Sequence, residues 1–97
     1  GFAAAEQVVA GIAAVGWAHA IEVVLHVPVD EARRLLPRSV GTLARHSSGT
    51  LFTGRAEHLD GAARMLAGLG VDFTVVAPAE LRSEVRALAE RLLRRSL

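Results

Sequence analysis

The hydrophobic and polar positions of this chain change period several times, and each change marks an element. Residues 2–15, FAAAEQVVAGIAAV, are rich in alanine and read as a helix, with Phe2, Val8 or Val9, Ile12 and Val15 on a broad face and Gly16 as its C-cap. Trp17 follows as a bulky anchor. AIEVVLHVP, residues 20–28, then alternates: Ile21, Val23, Leu25 and Val27 fall on one side and Glu22, Val24 and His26 on the other. A period of two predicts a strand with one buried face, ended by Pro28. VDEARRLLPRSV reads as a short helix with Asp30 and Glu31 at its positive end, an inner stripe of Ala32, Leu35 and Leu36, and a stop at Pro37.

Two strand-like runs, VGTLARH and TLFTGRAEH, flank Ser47, Ser48 and Gly49, which carry turn chemistry, so a hairpin is expected. Phe52, Gly54 and Ala56 share the inward parity, and the small pair Gly54 and Ala56 predicts close approach of a helix. In HLDGAARMLAGLG, Leu59, Ala62, Ala63, Leu66 and Leu69 have helical spacing, and Gly68 and Gly70 mark the end. VDFTVV is a further strand with Val71, Phe73 and Val75 facing in. Pro78 opens a last helix whose stripe is Leu81, Val85, Leu88 and Leu92. Between the first and last helices the order is βαββαβ. This predicts an α+β, ferredoxin-like sandwich with a four-stranded antiparallel sheet, plus an N-terminal connector helix (1–19) and a C-terminal helix, residues 20–97 forming the domain.

Composition narrows the chemistry. Ninety-seven residues suffice for one small core. The absence of cysteine excludes disulfides, thiolate metal sites and a cysteine nucleophile. No apolar run approaches the roughly 18 residues of a membrane span, and the start lacks the basic region of a signal peptide; a cytoplasmic protein without a membrane partner is expected. The start at Gly1 reads as a cut from a longer chain. All eleven basic residues are arginines against ten acids, a surplus too small to point to nucleic acid by itself. The high apolar content, 52%, predicts surface left over for a partner.

Candidate chemistry is sparse. His58 with Glu57 and Asp60 resembles an acid–base group, but strand neighbours diverge and Asp60 stands where a helix begins, so a helix start is the favoured reading. His19, His26, His46 and His58 show no metal spacing, and no serine sits in a nucleophile elbow. GLGVDF lacks the Walker lysine, and no cofactor is expected. Arg82, Arg86, Arg91, Arg94 and Arg95 read as a solvated helix face. The outward sheet face presents Glu22, Val24, His26, Thr53, Arg55, Glu57, Asp72 and Thr74. With Phe52 and Phe73 facing in, it lacks the aromatic platform of an RNA-recognition sheet. Glu22, His26, Thr53 and Arg55 are the candidate effector or partner contacts, with a solvated face carrying a cross-strand ion pair as the plainer alternative.

The stretches IEVVLHVPVDEARRLLPRSVGTL, GRAEHLDGAARMLAGLG and VDFTVVAPAELRSEVRALAERL together resemble the C-terminal extension (WCX) domain of WYL-domain, DeoR-like or YafY-like bacterial transcriptional regulators. The likeness runs from about Ala20 to Arg94 and rests on packing and turn residues. It implies upstream helix-turn-helix and WYL domains, absent here, and DNA binding through the former. It also implies a non-enzymatic regulatory and self-association role, with a nucleic-acid or small-molecule effector. It carries no site residue onto this chain. A small-molecule or oligonucleotide effector site on the open sheet face is the alternative, and a small enzyme is disfavoured.

Overall fold

The structure, a computed structural model, describes residues 18–96. The expected connector helix and Trp17 lie outside the described residues. Seven helices and strands follow in order: β1 (His19–Leu25), α1 (Val29–Leu35), β2 (Gly41–His46), β3 (Gly49–Ala56), α2 (Leu59–Ala67), β4 (Phe73–Ala77) and α3 (Ala79–Arg95), with a 3₁₀ turn at Arg38–Val40. The strands form one sheet in the order β2-β3-β1-β4, every neighbouring pair antiparallel. The class is α+β, and the strand order is consistent with the expected split βαβ arrangement.

The alternation in β1 governs the layering. Ile21, Val23 and Leu25 are almost wholly buried, and opposite them on β3 lie Gly54, Phe52 and Thr50. One continuous core joins this face to Ala32 and Leu36, to Ala62, Ala63 and Leu66 of α2, to Val75, and to Leu81 and Leu88 of α3. Burying Phe52 or Leu66 contributes about 1.5–3 kcal/mol each. α1 lies against β2 and β3, while α3 packs along α2 and against β4. The last helix is thus part of the core layer. Its final turns project beyond it: Leu92 is 54% exposed and Leu93 66%, which removes Leu92 from the expected inner stripe. The stripe ends early because at seventeen residues α3 runs about 25 Å and outlasts the shorter α2.

The room at Gly54 is used differently from expectation. No helix enters it. Gly54 pairs with Gly41 across β2 and β3, and a Cβ added at Gly54 would lie 2.6 Å from the Val40 carbonyl oxygen and 2.8 Å from the Phe52 ring. A Cβ at Gly41 would meet the Thr53 carbonyl and the same ring. The glycine pair therefore admits the phenyl group and the incoming 3₁₀ turn. At the other end of the hairpin, Gly49 has φ 142°, and its backbone packs on the Leu25 carbonyl. Next to it Thr50, the one fully buried polar side chain described, donates from Oγ1 to the Val27 carbonyl at 2.8 Å.

Two substitutions test this packing. Gly54→Ala should cost about 1–3 kcal/mol by crowding Phe52 and Val40. Thr50→Val, which keeps shape but loses the bond to Val27, should cost about 1 kcal/mol. Urea unfolding with unchanged slope measures both.

Candidate functional site

The face of the sheet opposite the core carries no helix among the described residues. Register decides which candidate residues meet there. Glu22 lies directly opposite Thr53, and Arg55, opposite Ala20, is its diagonal neighbour. These three form one cluster on β1 and β3. Glu22 and Arg55 do not form the cross-strand ion pair of the plainer alternative: among the described residues the ion pair within 4.0 Å is Arg64–Asp60. Glu22 and Arg55 are exposed, and Thr53 is half-buried. Beside the cluster, Val24 is only 4% exposed although it lies on the outward side, because Leu51 and Thr74 flank it in register. Val24 therefore adds little apolar surface to this half of the face.

His26 does not join the cluster. It lies just past the end of β1, four residues from Glu22 and so about 13 Å along the chain. Its backbone N–H donates to the Asp72 carbonyl at 2.9 Å. Its ring bridges two segments: Nδ1 lies 3.1 Å from the Ser48 carbonyl oxygen and Nε2 lies 2.8 Å from Thr74 Oγ1. The Ser48 carbonyl only accepts, so Nδ1 carries a proton and donates. In the neutral ring Nε2 then accepts from the Thr74 hydroxyl. Both nitrogens are engaged in holding the β2–β3 turn to β4.

Other groups with chemical potential are similarly engaged. Arg82, which helical spacing assigns to the solvated face of the last helix, instead turns back. Its Nη1 donates to the Val76 carbonyl at 2.9 Å and to the Val75 carbonyl at 3.4 Å. The reason is a bulge: Glu22 pairs with Ala77 and Val23 with Val75, leaving Val76 as the extra residue of an edge strand. The alternation of apolar residues in VDFTVV gives no sign of that irregularity.

His58 is the N-cap residue of α2, is exposed, and makes no side-chain capping bond. Asp60 is paired with Arg64 one turn on, at 3.2 Å. That hydrogen bond, with one from the Gly61 backbone, lowers the Asp60 pKa below the ordinary carboxylate value. A depressed carboxylate pKa contributes stability above the ordinary value that fades as pH falls through the lowered one; in an exposed helix pair the contribution is small. The three residues around His58 thus form a helix start. Among the described residues no three histidines, acids or cysteines are placed to hold a metal ion, and no helix is long and apolar enough to cross a membrane.

Replacing His26 with alanine should loosen the Ser47–Ser48 turn and cost roughly 1 kcal/mol. Faster amide hydrogen exchange at the ends of β2 and β3, with α2 unchanged, is the expected readout.

Comparison with curated proteins and with solved structures gives no match. The family model of the WCX domain matches residues 19–93, from the first residue of β1 nearly to the end of α3. The match takes in all four strands, the three helices that cover them and the Glu22, Thr53 and Arg55 cluster, and the chain belongs to the WCX domain family.

Proposed function

We propose that this WCX domain is the C-terminal regulatory and oligomerisation module of a bacterial helix-turn-helix regulator of the WYL, DeoR-like type. It works in the cytoplasm and has no enzymatic role. Its task is to couple effector sensing to DNA binding by domains upstream of it. The observation that carries this reading is the family match over residues 19–93, since WCX domains are associated with regulators. The one-sided sheet supports it. All the helices described pack on a single face, and the opposite face and the overhanging end of α3, with Leu92 and Leu93, are left for contacts with another surface. Two subunits held through such surfaces can turn their DNA-reading heads together when an effector shifts the balance between two arrangements.

A second reading has its own observation. Glu22, Thr53 and Arg55 are adjacent, with Glu22 and Arg55 not paired to each other, and can receive a small molecule or oligonucleotide effector on the open face.

Sedimentation equilibrium separates these readings. Self-association with a dissociation constant on the order of micromolar is expected of the chain. It should weaken when Leu92 and Leu93 are replaced by serine. A strict monomer at about 100 μM, roughly a hundred times that constant, would refute oligomerisation through this domain. For the second reading, a metabolite or oligonucleotide that raises the melting temperature of the wild type should lose that effect in Arg55→Ala.

A further inference from the structure

β2 is an edge strand of the sheet. The two-residue turn at Ser47–Ser48 makes His46 and Gly49 a hydrogen-bonded pair, and the register continues without a bulge to Gly41 and Gly54. Hydrogen-bonded pairs alternate along an antiparallel ladder. His46, Ala44 and Thr42 therefore turn their main-chain groups toward β3. Gly41, Leu43 and Arg45 turn theirs outward, and none of them has a backbone partner on that side among the described residues. Exposed edges of this kind are templates for an added strand unless they are blocked. β2 carries no proline and no bulge, and no described element hydrogen-bonds to its outer edge.

What borders this edge is specific. A groove of about 780 Å³ runs between α1 and β2, walled by Leu36, Pro37, Leu43 and Phe52, with Arg33 and Arg38 at its rim. A second recess, of about 690 Å³, shares Arg38, Gly41 and Thr42 with the first and adds Arg55 from β3. No carboxylate lines either one. Arg33, Arg38 and Arg55 are exposed and take part in no ion pair among the described residues. The charge changes toward the hairpin, where Asp30 and Arg45 line a smaller recess together. The basic end of the edge is thus the Gly41 end.

We propose that the free edge of β2 and its arginine-rimmed groove bind an extended acidic peptide segment as a fifth strand. Main-chain bonds to Gly41, Leu43 and Arg45 would hold the segment. Every second side chain would face the groove: an apolar one would enter beside Leu36 and Leu43, and carboxylates two residues along on the same side would reach Arg33 and Arg38. The charge argues against a second copy of β2 as occupant, because two-fold pairing would bring two sets of these arginines together. Outward main-chain donors and acceptors at every second residue fit a polypeptide better than a nucleic-acid backbone, which offers no matching ladder.

The test uses the 97-residue chain and fluorescent octapeptides with threonine at every second position and, at the positions between, valine and aspartate or valine and lysine, so that both face the groove, followed by polarisation. The aspartate peptide should bind at least about tenfold more tightly than the lysine peptide, and less tightly as salt rises. The double variant R33E/R38E should reverse that preference. N-methylation of the aspartate peptide at alternate residues should cost about tenfold for one parity and leave the other nearly unchanged, since only one set of amides faces β2. Equal binding of both N-methylated sets, no reversal in the charge-swapped variant, or an oligothymidine of equal charge binding as tightly would each overturn the proposal.

Discussion

The apolar side of β1 is the constraint on which the rest of the structure depends. Ile21, Val23 and Leu25 project from one side of a strand that has partners on both edges, and only the helices can keep that side from water. Phe52, directly opposite Val23, extends the same surface into β3. A ring of that size beside a two-strand edge requires space, and Gly41 and Gly54 provide it by having no side chains to occupy it. The register of β2 on β3 sets these two glycines beside the ring, and the Val40 carbonyl at the end of the 3₁₀ turn comes close to Gly54. The same register sets which main-chain groups face away, those of Gly41, Leu43 and Arg45.

A small domain has few polar side chains to close its loops, and several that suggest chemistry in isolation serve that purpose here. His26 fastens the β2–β3 turn to β4, Thr50 satisfies the carbonyl of Val27, and Arg82 satisfies two carbonyls at the β4 bulge. Asp60 holds Arg64 on the surface of α2. Groups left without such duties include Glu22, Thr53 and Arg55 on the open face, and Arg33 and Arg38 along the edge of the sheet. This division suits a module that presents surfaces to partners.

Much of the fold is legible in the residue pattern. The alternation of Ile21, Val23 and Leu25, the spacing of Ala62, Ala63 and Leu66, and the turn residues before Gly49 each mark their element, because period and turn geometry are local properties. The candidate site is only partly legible. Glu22, Thr53 and Arg55 share a face by parity, and the register brings them together. His26 shares that parity with Glu22, but parity carries no information about whether a ring nitrogen finds a partner 22 or 48 residues away. The helical spacing of Leu81, Val85, Leu88 and Leu92 likewise defines a stripe without saying how far the packed surface beneath it extends.

The sequence by itself determined the kinds and order of the described strands and α-helices, the inward faces of β1, β3 and β4, the α+β class and the likeness to WCX domains. All of these depend on spacing along the chain. Only the tertiary structure decided which strand lies at the edge, that Phe52 and the 3₁₀ turn rather than a helix occupy the space at Gly54, that α3 joins the core and then outruns it, and which arginines are tethered and which border an open groove. The physical reason is that these outcomes depend on distances between residues far apart in the chain. Such distances are set when one apolar surface closes over another, and no local period records them.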